Sequence, residues 1–231
     1  MLLRGPMGTV EIRLGNSLAV LDRSGAVLLG DCLVVADLHL EKGTSFAARG
    51  VLLPPHDTLA TLDALTQVVQ RLGPRRLVSL GDGFHDVGGA GRLGEEARDR
   101  IGDLARQCEL VWLLGNHDPL PPVGLPGAVV TDLDLHGLSL VHEPPAGRGG
   151  WVAGHLHPKA RLDGRGRRIA ARCFVTDGDR LILPAFGAYT GGLDVFHPAI
   201  DSLFPLGFDA HLIGPGAIHR IARERLVRRV G

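Results

Sequence analysis

The sequence predicts an α/β fold whose first half alternates strands and helices and whose second half is mostly β. Three observations carry this. Apolar runs at Cys32–Ala36, Leu77–Leu80 and Leu110–Leu114 are short and continuous, as strands buried on both faces are. The two longer segments between them carry apolar residues at helical spacing. Beyond Asp118 only short apolar runs follow, in Gly- and Pro-rich surroundings with no convincing helix between them.

In chain order, Leu18 to Leu29 reads as a hairpin turning at Asp22-Arg23-Ser24-Gly25. Pro54-Pro55 opens the first helix, with Leu59, Leu62, Leu65, Val68, Val69 and Leu72 on one face and Gly73-Pro74 at its end. Phe84 to Gly94 is glycine-rich and reads as a mobile loop. The second helix runs from Glu95 to Cys108 with Ala97, Ile101, Leu104 and Cys108 on its apolar face. Leu138–Val141, Trp151–Ala153, Phe174–Val175 and Leu181–Leu183 are strand-like. Near the C-terminus, Ile218, Ile221, Ala222, Leu226 and Val230 suit a helix, with a strand as the alternative.

The 231 residues suffice for one substantial core, so residues 1–231 are expected to form a single domain. Hydrophobic residues make up 45% of the chain, a globular composition. Basic and acidic residues balance at 25 each, so any nucleic-acid role needs a local patch. Cys32, Cys108 and Cys173 are odd in number and contain no Cys-x-x-Cys pair, which points to buried thiols in a reducing cytoplasm. No apolar signal core stands near the N-terminus, and no uncharged run reaches the roughly 18 residues of a membrane helix.

The chemistry stands at the strand ends, where α/β sheets bind ligands. The three buried runs lead into Asp37-Leu38-His39, Gly81-Asp82 and Gly115-Asn116-His117-Asp118; later runs lead into His142 and Gly154-His155-Leu156-His157. In Asp-x-His and His-x-His, an extended chain points both side chains the same way. The glycines before Asp82, Asn116 and His155 permit a tight backbone. Counted as ligands, Asp37, His39, Asp82 and His157 can hold one metal ion, and Asp82, Asn116, His142 and His155 a second, with Asp82 bridging. Carboxylate, imidazole and amide oxygen without thiolate suit manganese, iron or zinc. Two ions about 3.5–4 Å apart clamp both oxygens of a phosphoryl transfer. A lone Asp-x-His is common by chance, a lone Gly-Asp is usually a turn, and a lone His-x-His is weak evidence. Five such clusters in this order, each after an apolar run, are poorly explained by chance.

These clusters resemble the signature of the calcineurin-like metallophosphoesterases. Within that superfamily the chain is similar to the ligase-associated DNA damage response endonucleases, the bacterial PdeM group related to SbcD nucleases. The likeness rests on Val35-Ala36-Asp37-Leu38-His39-Leu40, Gly81-Asp82-Gly83-Phe84-His85 and Leu183-Pro184-Ala185-Phe186-Gly187-Ala188-Tyr189-Thr190-Gly191-Gly192, and spans about Leu33 to Gly192. One departure is Glu41-Lys42, where the group tends to have Gly-Lys. The resemblance implies a four-layer α/β/β/α sandwich of two mixed sheets and a dinuclear phosphodiesterase, with manganese favoured and iron or zinc as alternatives. It implies a DNA endonuclease of repair, acting on single-stranded or damaged DNA beside a DNA ligase and a helicase. Two ions would share a water and lower its pKa to give the nucleophile. His117 then stabilises the transition state or protonates the leaving oxygen. Asp118 orients its ring or caps a helix before Pro119. No membrane partner is implied, and a homodimer stays open.

His85, at a position where many relatives have a carboxylate, either serves near the metals or substrate or is an exposed loop residue. Lys42 and Arg49 meet substrate phosphates or are solvated surface. His56, His136, His197, His211 and His219 read as ordinary. Arg161, Arg165, Arg167, Arg168 and Arg172 form one basic stretch, and Arg220, Arg223, Arg225, Arg228 and Arg229 another; each is a phosphate-backbone patch or a soluble face. Two competing functions use the same residues. A phosphatase or phosphodiesterase of nucleotides or other small molecules is favoured by the zero net charge. A non-catalytic scaffold, like the retromer subunit of the superfamily, is disfavoured by the intact ligand set with His117 present.

Overall fold

The computed structural model of the chain describes residues 8–54, 56–147, 149–164 and 167–228, with the backbone alone at 164, 167 and 168. Pro55, Arg165, Arg229 and Val230 lie outside the described residues, as do the side chains of Arg167 and Arg168. The first sheet runs β1 (Thr9–Leu14), β2 (Ser17–Asp22), β3 (Val27–Leu29), β4 (Cys32–Val35), β5 (Arg76–Leu80), β6 (Glu109–Leu113), β7 (Ala128–Val130), each strand bonded to the next. Its first four strands form an antiparallel meander, and β4 to β7 are parallel. A parallel pair needs a crossover. Between β4 and β5 this holds α1 (Lys42–Ala47) and α2 (Asp57–Leu72); between β5 and β6 it holds α3 (Gly89–Arg92) and α4 (Glu95–Gln107).

The second sheet comprises β8 (Leu133–Leu135), β9 (Leu138–Val141), β10 (Trp151–Ala153), β11 (Lys159–Gly164), β12 (Arg167–Thr176), β13 (Arg180–Ile182), β14 (Asp209–Ile213) and β15 (Ile218–Ala222). Its order is β15-β14-β12-β13-β10-β9-β8, with β11 paired to β12 off that path. Strands β9, β10 and β13 are parallel and the other pairs antiparallel.

Alternation along each strand builds the layers. Val34, Val78 and Val111 face the second sheet and pack with Leu140, Val152, Phe174 and Leu181. Leu33, Val35 and Leu77 point the other way, onto Leu62, Leu65 and Val68 of α2 and Ile101 and Leu104 of α4. Burial on both faces is why these strands read as continuous apolar runs. Outside the second sheet, Trp151, Cys173 and Val175 pack beneath Ile200, Phe204 and Phe208. That fourth layer is thin: its helix α5 (Pro198–Asp201) is one turn long, with irregular chain around it. So short an element leaves no helical period to read.

The hairpin, α2, α4 and the β4, β5, β6, β9 and β10 strands fall where the sequence placed them, within a residue or two. The Phe84–Gly94 loop holds α3, and Arg92 ties it down by bonding to Asp86 at 2.9 Å and to Thr44 Oγ1 at 3.1 Å. At the C-terminus the helical spacing misleads: Ile218–Ala222 is the edge strand β15, paired to β14, and a 3₁₀ turn at Arg223–Arg225 follows. All three cysteines are free and buried. No helix among the described residues is long and apolar enough to cross a membrane.

Candidate metal centre

The C-terminal ends of β4, β5, β6, β9 and β10 converge at one edge of the sandwich. Three groups of ligand atoms form there, each with its atoms within 4.8 Å of one another: Asp37, His39 and His157; Asp82, His142 and His155; and, sharing His39, the group His39, His85 and His117. In the first, His157 Nε2 lies 3.3 Å from Asp37 Oδ1 and 3.4 Å from His39 Nε2. In the second, His142 Nε2 lies 3.4 Å from Asp82 Oδ1 and 2.9 Å from Asn116 Oδ1. Asp82 stands between them, with Oδ1 toward His142 and Oδ2 3.9 Å from His39 Nε2. All seven residues read as ligands from the sequence are thus brought together at this edge.

The backbone route differs from the expected one. Asp37, His39, Asp82, His155 and His157 all have positive φ, between 44° and 67°. Asp-x-His and His-x-His therefore converge through left-handed residues, not through the alternation of an extended strand. Such conformations are costly for residues with a Cβ and persist where surrounding structure imposes them. Much of that imposition comes from hydrogen bonds. His39 N–H donates to Asp82 O, and Leu40 N–H to Gly83 O, both at 2.9 Å. His155 N–H donates to both Asp37 oxygens, at 3.0 and 3.1 Å, and His117 N–H donates to Asp82 Oδ1 at 2.9 Å.

Glycine is required here mostly for space. A Cβ at Gly115 would lie 2.2 Å from Asp82 N and 2.3 Å from Asp82 Oδ1. The Leu183–Gly192 run serves the same loops from behind. Phe186 N–H donates to Ala36 O and Gly187 N–H to Asp37 O, and a Cβ at Gly187 would lie 2.0 Å from Leu38 O. The physical role of this run is to back the Asp37–His39 turn.

Asp37 and Asp82 are 0% and 2% exposed, and no Lys or Arg pairs with either among the described residues. Buried carboxylates are ordinarily paired or bound to metal. Beside them His39 is held neutral, its pKa lowered to about 2 by burial and by His157, His117, His85 and Lys42, while its Nδ1 has no hydrogen-bond partner. Buried oxygens and imidazoles with no cation among them fit divalent ions. His142 donates from Nδ1 to Leu80 O at 2.9 Å, which turns Nε2 into the site.

His117 lies on the solvent side, its ring 5.1 Å from that of His39. Its Nδ1 donates to the carbonyl oxygen of His85 at 2.9 Å. That contact, not Asp118, orients the ring. Asp118 accepts N–H bonds from Phe84 at 3.0 Å and Gly115 at 3.1 Å, so it ties the Asp82 loop to the Asn116 loop. Burial raises its pKa to about 6. The capping role fails too, because no helix follows Pro119.

His85 is half-buried, not an exposed loop residue. It stacks on His117 at 5.3 Å and lies 5.5 Å from Phe46, and its pKa is lowered to about 4 by burial, Lys42, His117 and Arg49. Lys42 and Arg49 flank the same mouth, 5.9 and 4.7 Å from the Phe46 ring. The Glu41 departure also has an account. Glu41 adopts φ 63°, a conformation natural to glycine, and is held there by Thr58 and Thr44 hydroxyls donating to its carboxylate at 2.9 and 2.7 Å.

Among the described side chains of the arginine stretches, four are occupied. Arg161 pairs with Asp194, Arg220 with Asp209 and Arg223 with Asp201, while Arg172 donates to Ala185 O and Ser24 O. Among the other histidines, His197 caps α5 by accepting from Ala199 N–H, and His211 is buried in β14.

No family model matches the chain, and no curated protein matches it. Among solved structures, the crystal structure of Pseudomonas putida nuclease MPE is similar, with a TM-score of 0.70 and 27% sequence identity over 93% of this chain and 100% of that one. Two mixed sheets with flanking helices, buried Asp and His clusters at their shared edge and this likeness together make the chain a metal-dependent phosphoesterase.

Proposed function

We propose that the chain is a manganese-dependent DNA endonuclease of the PdeM kind, cutting single-stranded or damaged DNA during repair. The observation that carries the reading is the pair of carboxylate–imidazole groups meeting at Asp82, in a chain similar to a nuclease. Asp37, His39, Asp82 and His157 would hold one ion, and Asp82, Asn116, His142 and His155 the other. Bound there, divalent ions supply charge neutralisation at phosphate and a water made nucleophilic near neutral pH. The chain's own residues orient and move protons. With Nδ1–H of His117 held by His85 O, the proton it can give up sits on Nε2, so His117 acts on the leaving oxygen from its imidazolium form. Lys42 and Arg49 would receive flanking phosphates. Residues 1–231 act as one domain in this reading, in the cytoplasm, beside a ligase and a helicase.

The test is circular single-stranded DNA with manganese. Linearisation that chelator abolishes supports the endonuclease, since a circle offers no free end. A second reading, hydrolysis of small phosphodiesters or nucleotides, is favoured by the ion pairing of Arg161, Arg220 and Arg223, which leaves those arginines little charge for a DNA backbone. If the circle stays intact while a small phosphodiester is hydrolysed, the second reading replaces the first.

A further inference from the structure

We infer that the cleft beside His157 seats one nucleoside of a single-stranded substrate, with Tyr189 as the wall on which its base stacks. The inference rests on the DNA reading above. The cleft measures about 390 Å³, and its lining includes His157, Lys159, Ala170, Ala171, Tyr189 and Thr190. Ligand pockets run from roughly 300 to 1,000 Å³. This one therefore suits a single nucleoside and is far too small for a duplex. His157 belongs to both the cleft and the first metal group, so whatever sits here is next to the reacting phosphate.

The walls are chosen for a flat, anionic strand. Ala170 and Ala171 contribute only small side chains to the lining. Tyr189 is the chain's only tyrosine, is 51% exposed and stands at φ 56°. A half-exposed ring on a left-handed backbone needs a reason, and such residues cluster at ligand clamps. Its segment is pinned: Ala188 N–H donates to Thr61 Oγ1 and Thr190 Oγ1 to Gly187 O, each at 3.1 Å.

The cations complete the case. The chain has 25 basic residues but only two lysines, Lys42 and Lys159. Both serve this loop. Lys42 Nζ donates to Tyr189 O at 3.0 Å, and Lys159 Nζ to Thr190 O at 3.5 Å. Unlike Arg161, Arg220 and Arg223, neither lysine forms an ion pair among the described residues. An exposed aromatic ring whose loop holds two ammonium groups outside any ion pair is a combination that suits single strands, where rings take bases and cations take phosphates.

The experiment compares wild type, Tyr189→Ala and Tyr189→Phe on a single-stranded oligonucleotide and on methyl p-nitrophenyl phosphate, a phosphodiester without a base. Bound manganese and the thermal midpoint confirm that each variant is folded and loaded. Tyr189→Ala is expected to raise KM for the oligonucleotide about 5- to 150-fold, the range of one lost base–aromatic stack, and far more than for the small diester. Tyr189→Phe recovers most of that loss. An abasic residue stepped through the nucleotides on either side of the cut should, at one position, erase the difference between wild type and Tyr189→Ala. An unchanged KM for Tyr189→Ala, an equal loss on both substrates, or a difference that no abasic position erases overturns the inference and leaves the nuclease standing. If wild type hydrolyses the small diester and cuts no DNA, the functional reading falls, and this inference with it.

Discussion

Replacing Glu41 in parallel by glycine and by alanine measures the cost of the left-handed backbone that opens α1. Glu41 stands at φ 63° and is 6% exposed. Either substitution loses the hydrogen bonds from Thr58 at 2.9 Å and Thr44 at 2.7 Å. Bonds to a charged group are worth about 1.5–3 kcal/mol each, less the relief of no longer burying a carboxylate. That loss is common to both variants and cancels in their difference. What remains is backbone. Alanine in the left-handed region costs about 1–2 kcal/mol, which glycine avoids. Glycine gives back about 0.5–1 kcal/mol through its greater freedom in the unfolded chain. Glu41→Gly is therefore expected to be more stable than Glu41→Ala by about 1 kcal/mol, roughly 2–4 °C in thermal midpoint for a chain of this size, with both below wild type. Urea unfolding followed through the buried Trp112 and Trp151 reads this directly, provided the three proteins share one m-value. An alanine variant as stable as the glycine one refutes the reasoning.

Other expectations follow from the same geometry. Elemental analysis should find two divalent ions per chain at saturating manganese; one ion with full activity would sink the dinuclear arrangement. Asp82→Asn should lose metal and activity together, whereas His117→Ala should keep its metal and lose about 10²–10⁴-fold in turnover, which metal titration beside kinetics can separate. Because Asp118 bonds Phe84 and Gly115, Asp118→Asn should weaken manganese binding by roughly 10–100-fold along with turnover; a variant with full affinity and only slower turnover would restore Asp118 to His117. His211 is 2% exposed and its pKa falls from 6.5 to about 4 through burial, so the unfolded chain takes up its proton first. Stability is unaffected above pH 6.5 and drops as pH falls from 6.5 toward 4, by at most about 3 kcal/mol, and His211→Leu should flatten that part of the urea profile.

Most of the seven candidate ligands were legible because they follow runs buried on both faces, which are nearly unambiguous in sequence; His142 instead follows β9, where buried and half-buried residues alternate. The conformations that bring them together were not legible. Nothing in Asp37-Leu38-His39 announces φ 55° and 44°, because the cause is hydrogen bonding to Asp82 and to His155, which lie far along the chain. Side-chain direction was equally hidden: Asp118 sits next to His117 in sequence, yet it turns to the backbone of Phe84 and Gly115. Short elements without a period escaped as well. α1 has six residues, and β1 carries Glu11 and Arg13 on an edge of the sheet. At β15, Ile218 and Ile221–Ala222 fit a helical stripe by spacing, and only pairing with β14 decides for a strand. The ion pairs of Arg161, Arg220 and Arg223 were likewise hidden, since their aspartate partners come from elsewhere in the chain.

The candidate ligands are divided between the two sheets: Asp37, His39, Asp82 and Asn116 follow strands of the first, and His142, His155 and His157 follow strands of the second. An ion in either group therefore bonds across the seam of the sandwich, and its binding energy is also cohesion between the two halves of the chain. By mass action, a free ion at a hundred times its dissociation constant adds about 2.7 kcal/mol to global stability. The same division sets the order of events in biosynthesis. A nascent chain that has emerged only as far as β8 carries four of the seven donors and cannot close either group. If those two groups are the metal sites, metal is acquired only once the second sheet has docked, and a protein truncated before His142, left with the His39, His85 and His117 group alone, should neither retain manganese nor gain stability from it.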